Sequence, residues 1–179
     1  MTFPILISEK LTLRQLSIDD QDAILALRSD PKVNRYLDRA PTKTVDNAIN
    51  FINKINENIE KGISLYWAIT QTETNTFVGT ICLFYFSTEK KNCEIGYELM
   101  TEFRGQGIMS EAVQMVINFA FKNLHFKEIS AFSHKENQPS LSLLNKFNFV
   151  KSEETDIENP NLEKFSLRKY TIYSSSINE

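Results

Sequence analysis

The sequence predicts a mixed α/β domain of the α+β kind, with a central, mostly antiparallel twisted sheet of six to seven strands flanked by about four helices. Three observations carry this reading. Short stretches of alternating or unbroken apolar residues lie between turn residues, the mark of strands. Longer stretches repeat apolar residues every three or four positions, the mark of helices. The stretches follow one another as β-α-α-β-β-β-α-β-α-β-β, and three strands in succession exclude a uniform βαβ repeat.

Leu11 to Ile18 alternates apolar and polar residues and reads as the first strand. Asp19 or Asp20 caps a short helix carrying Ile24 and Leu27 on one face. Asp30-Pro31 stops it, because the residue before proline disfavours helix. Residues 31–43 read as irregular. Thr44 caps a longer helix, with Val45, Ala48, Ile49, Ile52, Ile55 and Ile59 at helical spacing and Gly62 past its end. Leu65–Thr70, Phe77–Phe86 and Cys93–Leu99 are strands, the last two joined by a hairpin loop over Ser87–Asn92. Ser110–Leu124 is the most regular amphipathic helix of the chain. Ile129–Ser133 is a short strand, Pro139 opens a helix with Leu141, Leu144 and Phe147, and Phe149-Val150 and Phe165–Tyr173 supply the last strands.

At 179 residues the chain has the length of about one domain, and no linker or repeat divides it. Residues 1–173 are expected as a single domain and 174–179 as a frayed tail. An apolar fraction of 41% and a charged fraction of 24% exclude collagenous, disulfide-scaffold and disordered classes. A net charge of -3 argues against a partner bound by phosphate neutralisation, so no nucleic acid is expected. The longest apolar run, Ile81–Phe86, falls far short of the ~20 residues that span a bilayer. No secretory signal opens the sequence, so a cytoplasmic protein without membrane attachment is expected. Cys82 and Cys93 lack metal-ligand spacing and read as small buried strand residues, with no metal site.

Glycine is scarce, and two of the five glycines fall in Arg104-Gly105-Gln106-Gly107-Ile108-Met109-Ser110, between a strand and the most regular helix. Glycines there let backbone N–H groups converge at a helix N-terminus, a geometry that binds phosphate. The same pair also suits a plain turn needing positive φ. A P-loop is excluded because Ile108-Met109 stand where Lys-Ser/Thr belongs. A dinucleotide fingerprint is disfavoured because antiparallel hairpins precede the loop.

Glu94-Ile95-Gly96-Tyr97-Glu98-Leu99 followed by Arg104-Gly105-Gln106-Gly107-Ile108-Met109-Ser110-Glu111-Ala112 resembles the core motif of the GNAT N-acetyltransferases, most of all the branch that acetylates ribosomal-protein N-termini. Asn137-Gln138-Pro139-Ser140 and Phe147-Asn148-Phe149 resemble that branch's downstream turn and terminal Gly-Phe, and the likeness covers about residues 8–173. It implies a GNAT-like fold and acetyl-CoA as co-substrate. The backbone of Arg104, Gly105, Gln106, Gly107, Ile108, Met109 and Ser110 would cradle the pyrophosphate, and Leu99, Met100 and Thr101 would pair with the pantetheine arm. Asn137 would meet the pantetheine amides, Lys146 the 3′-phosphate, and Ser140 would lie near the thioester sulfur. Met109 stands where the family usually has Gly or Ala, and Asn148 replaces the usual Gly. Leu144 stands where many members carry an acidic tyrosine, so that general acid is absent here.

Direct acyl transfer needs a base for the amine proton and a donor for the leaving thiolate. Glu94, Gly96 and Glu98 share one strand face by the two-residue period. Glu94 is the first candidate base and Glu98 the second, the alternative for each being a solvated or substrate-binding carboxylate. Ser140 is the candidate donor to the thiolate, or else a helix-start residue. His134 reads as a surface or capping residue rather than a base, and His125 as a helix C-terminal residue. The implied acceptor is a primary amine: a peptide N-terminus, a polyamine, an aminoglycoside or another metabolite. The alternative is a non-catalytic acyl-CoA-binding or sensing module on the same scaffold. Balanced composition and the aromatic run Phe84-Tyr85-Phe86 allow a monomer or a homodimer.

Overall fold

A computed structural model describes residues 2–152 and 167–177. The strands are β1 (Leu6–Ile7), β2 (Leu11–Gln15), β3 (Leu65–Gln71), β4 (Phe77–Ser87), β5 (Asn92–Leu99), β6 (Glu128–His134), β7 (Val150–Lys151) and β8 (Leu167–Tyr173). The helices are α1 (Gln21–Ser29), α2 (Pro31–Asn34), α3 (Val45–Glu60), α4 (Ile108–Lys122) and α5 (Gln138–Lys146). All eight strands form one sheet in the order β1-β2-β3-β4-β5-β6-β8-β7. Every neighbouring pair is antiparallel except β5 with β6.

The sheet is buried on both faces, which is why β3 reads as a continuous apolar run. Trp67 and Ile69 point into the larger core with Leu83, Ile95, Ile129 and the inner face of α4, including Ala112, Val113, Val116 and Ala120. Tyr66 and Ala68 point the other way, into a smaller core with Ile24 of α1 and Ala48 and Ile52 of α3. Trp67 is fully buried, and its indole N–H donates to the Pro4 carbonyl at 2.7 Å, so its one polar atom is satisfied.

The structure corrects the sequence reading in four places. The first strand ends at Gln15, and Ile18–Asp20 form a short 3-10 helix instead of continuing it. Asp20 does not cap α1 through its side chain; it grips Arg14 in a bidentate ion pair with both bonds 2.8 Å and also accepts from Ser17 N–H. Residues 31–34, expected as irregular, form α2, because the Asp30 carboxylate accepts from Lys32 N–H and Pro31 fits a first helical turn. The sheet gains a strand through the two-residue β1, which makes eight, and α2 brings the helices to five. The start of the last expected strand, Phe165, lies outside the described residues. Ser174–Ile177 form a 3-10 turn.

Gly79 of β4 lies close against the β5 backbone. A Cβ there would strike the backbone carbonyl oxygen of Glu98, which cannot swing aside. Gly79→Ala is therefore expected to destabilise the fold by about 1–3 kcal/mol, the usual cost of overpacking, as a lowered denaturant midpoint.

Candidate active site

The one parallel junction of the sheet is short. β5 and β6 pair only from Asn92–Glu94 to Glu128–Ser130. Beyond Glu94, β5 continues along β4 as far as Leu99. Beyond Ser130, β6 continues along β8 as far as His134. The two strands therefore part into a wedge with Glu94 at its apex. Among the described residues, its walls carry main-chain groups that no neighbouring strand takes up, a template for an extended ligand.

The open end of the wedge runs into the glycine loop. A 3-10 turn over Thr101–Phe103 leads from β5 to Gly105 at φ 75° and Gly107 at φ 77°. Gly107 is the N-cap of α4 and brings no side chain to satisfy the first-turn N–H groups, which remain available to an anion. A Cβ on either glycine would meet nothing within 4 Å, so the left-handed backbone, not crowding, calls for glycine. Ile108 and Met109 are buried in the larger core and anchor the loop, which explains why a large residue is accepted at 109.

The other expected cofactor residues gather around the same opening. Asn137 caps α5, its Oδ1 accepting from Ser140 N–H at 3.3 Å, which leaves its amide NH2 for another partner. Lys146, at the far end of α5, donates to Ser110 Oγ at 2.6 Å and so lies over the first turn of α4. Arg104 is exposed and reaches the Lys32 carbonyl at 3.4 Å. Met100 N–H is taken by the Val78 carbonyl, extending the β4 pairing. The Thr101 hydroxyl donates to Asp30 at 2.7 Å, tying the end of β5 to the start of α2. That bond, ahead of the Lys32 amide, holds the Asp30 carboxyl below its ordinary range.

On the opposite face of the sheet a pocket of about 280 Å³ is walled by Arg28, Arg39, Phe51, Tyr66, Cys82 and Glu98, among others. Glu98 forms ion pairs with Arg39 and, at 3.9 Å, with Arg28, whose guanidinium stacks over Phe51. Burial and then the neighbouring Arg39 charge lower the Arg28 pKa, while Glu98 opposes that. Gly96 also lines this pocket, and a Cβ there would press on Cys82 Sγ and the Phe84 ring. The shared face of Glu94, Gly96 and Glu98 is thus the face of the pocket, with Glu98 in its wall and Glu94 at the wedge apex. Sequence reasoning missed Arg28 and Arg39, because neither stands in a motif and only the fold brings them to Glu98.

Ser140 lies on the larger-core side of the sheet, where its Oγ is 2.9 Å from the Tyr97 hydroxyl. Burial pushes the Tyr97 phenol up to about 12, so it is neutral in the working range. His134 Nδ1 accepts from the Glu136 amide and its ring packs on Tyr36, a capping role. Both cysteines are free thiols, and burial pushes each up to about 12.

The profile of the acetyltransferase (GNAT) domain family matches residues 10–150. The chain is 36% identical over 146 residues to the uncharacterized N-acetyltransferase p20 of Bacillus licheniformis, covering 82% of each protein. Its fold is similar to that of a GNAT-family acetyltransferase from Bacillus anthracis (TM-score 0.79, 21% identity, 96% and 99% of the chains covered). It is also similar to the ribosomal-protein acetyltransferase RimL in complex with coenzyme A (TM-score 0.80, 18% identity, 95% and 98% covered).

Proposed function

We propose, on the premise that this chain belongs to the GNAT acetyltransferase family, that it moves an acetyl group from acetyl-CoA to a primary amine by direct attack on the thioester. The observation that carries the reading is the alignment of the β5–β6 wedge with the left-handed glycine loop at the start of α4. Pyrophosphate on the loop amides and an extended pantetheine arm along the β5 edge fit one continuous channel. Arg104, Lys146 and the Asn137 amide supply the charged and polar contacts around it. The acetyl group would then lie near the wedge apex, between the Ser140 side and the pocket side.

The pocket walled by Arg28, Arg39 and Glu98 is the place for the acceptor. Glu94 is the residue we assign as base, with Glu98 held by two guanidinium groups as a shaping carboxylate. Ser140 would donate to the departing sulfur. Direct attack is supported over an acetyl-cysteine intermediate by the thiols of Cys82 and Cys93, which at about 12 remain protonated and poor nucleophiles. A peptide N-terminus is the first acceptor to test, given the likeness to RimL, followed by polyamines, aminoglycosides and amino-acid amines.

The test is a panel of such amines and peptides assayed for release of free CoA thiol. Amine-dependent release with at least one class is expected, and NADH or ATP is not expected to compete for the site. Acetyl-CoA binding without release by any amine would point instead to an acyl-CoA-sensing module.

A further inference from the structure

Tyr97 projects from β5 on the face opposite Glu94 and Glu98, its ring packed against the larger core. Its hydroxyl meets Ser140 Oγ at 2.9 Å, a side-chain hydrogen bond that links β5 to α5. One turn further along α5, Leu144 is buried and apolar, so no second hydroxyl approaches from that helix position. The Ser140 amide is held by Asn137, which fixes the residue at the head of the helix.

We propose that Tyr97 is a positioning residue for acetyl transfer: its O–H donates to Ser140 Oγ and leaves the single Ser140 proton aimed at the thioester sulfur. The inference rests on the acetyltransferase reading above. A phenol is a better donor than an aliphatic alcohol, and a hydroxyl that accepts one bond donates its own proton elsewhere. Burial keeps Tyr97 protonated, so it has a proton to donate. As the amine nitrogen bonds to the acetyl carbon, its proton passes to the assigned base Glu94, the C–S bond breaks and sulfur leaves with the electron pair. Ser140 donates a hydrogen bond to that thiolate, no proton leaves Tyr97, and the thiolate is protonated through solvent as Glu94 gives up the proton it took from the amine. The same pair would stabilise the thiolate of bound CoA itself.

That consequence can be read without any acceptor. CoA labelled with carbon-13 beside its sulfur is bound to wild type, Tyr97→Phe, Ser140→Ala and the double variant, and the thiol is titrated by its carbon shift. The bound thiol should titrate about one unit below free CoA in wild type, as expected of a hydrogen bond made to the charged form. Tyr97→Phe should lose much of that shift with CoA affinity unchanged, and should have no further effect once Ser140 is alanine. With acetyl-CoA and an active amine, Tyr97→Phe should lower kcat and leave KM for acetyl-CoA near wild type. A thiol titrating alike in wild type and Tyr97→Phe overturns the inference, as does a full Tyr97→Phe effect in the Ser140→Ala background. CoA that fails to bind wild type at all overturns the acetyltransferase reading, and the inference with it.

Discussion

Glu94→Gln is expected to lower kcat/KM for the amine by roughly 10²–10⁴-fold, the usual contribution of a positioned general base, while acetyl-CoA affinity stays near wild type. The split between rate and cofactor affinity follows from placement. Glu94 stands at the apex of the wedge on the pocket face, whereas the glycine loop lies at the other end of β5. Glu98→Gln is the paired control, and its expected signature differs. Removing the charge leaves two mostly buried guanidinium groups, Arg28 and Arg39, without their carboxylate, so stability and acceptor KM should both suffer. If Glu98→Gln loses turnover at unchanged stability and Glu94→Gln does not, the base lies two residues along the same face. If neither slows turnover, catalysis proceeds by positioning an already neutral amine against the thioester.

Gly107→Val is expected to abolish most of the stabilisation that acetyl-CoA confers, which amounts to about 2.7 kcal/mol at a hundred times Kd. A β-branched residue resists the left-handed conformation that Gly107 holds at φ 77°, and its side chain would stand over the first-turn amides of α4. The space around the glycine is open, so the loss should come from backbone strain and blocked approach, not from a clash with the core. The apoprotein will itself melt lower, so affinity is best measured directly by titration calorimetry. An unchanged acetyl-CoA affinity would remove the glycine loop from the cofactor site.

Where the sequence repeats a helical period over several turns, it foretold the structure. α4 could be read because Ala112, Val113, Val116 and Ala120 face one core, and Thr44 and Gly62 delimit α3 by ordinary capping chemistry. Asn148 adopts φ 60°, as a residue replacing glycine at a left-handed turn should. The two-residue β1 carries too little sequence to show a period. α2 was hidden because an Asp-Pro pair announces a helix start as well as a helix stop. The glycine loop was legible because its chemistry is local to the chain. The pocket proposed for the acceptor was not, because Arg28 in α1, Arg39 after α2 and Glu98 in β5 meet only through long-range folding. Alternation along β5 separated Tyr97 from the two glutamates, but nothing in the sequence pointed to its bond with Ser140.

The most direct test of the central claim, that the β5–β6 wedge and the glycine loop form one acetyl-CoA channel, is amide hydrogen exchange with and without acetyl-CoA. The account predicts that protection gained on binding concentrates in residues 95–101 of β5 and its extension and in residues 105–110 at the start of α4, with β2 and β3 unchanged. Acetyl-CoA that binds and protects another part of the sheet, leaving both segments exchanging as in the free protein, would contradict it.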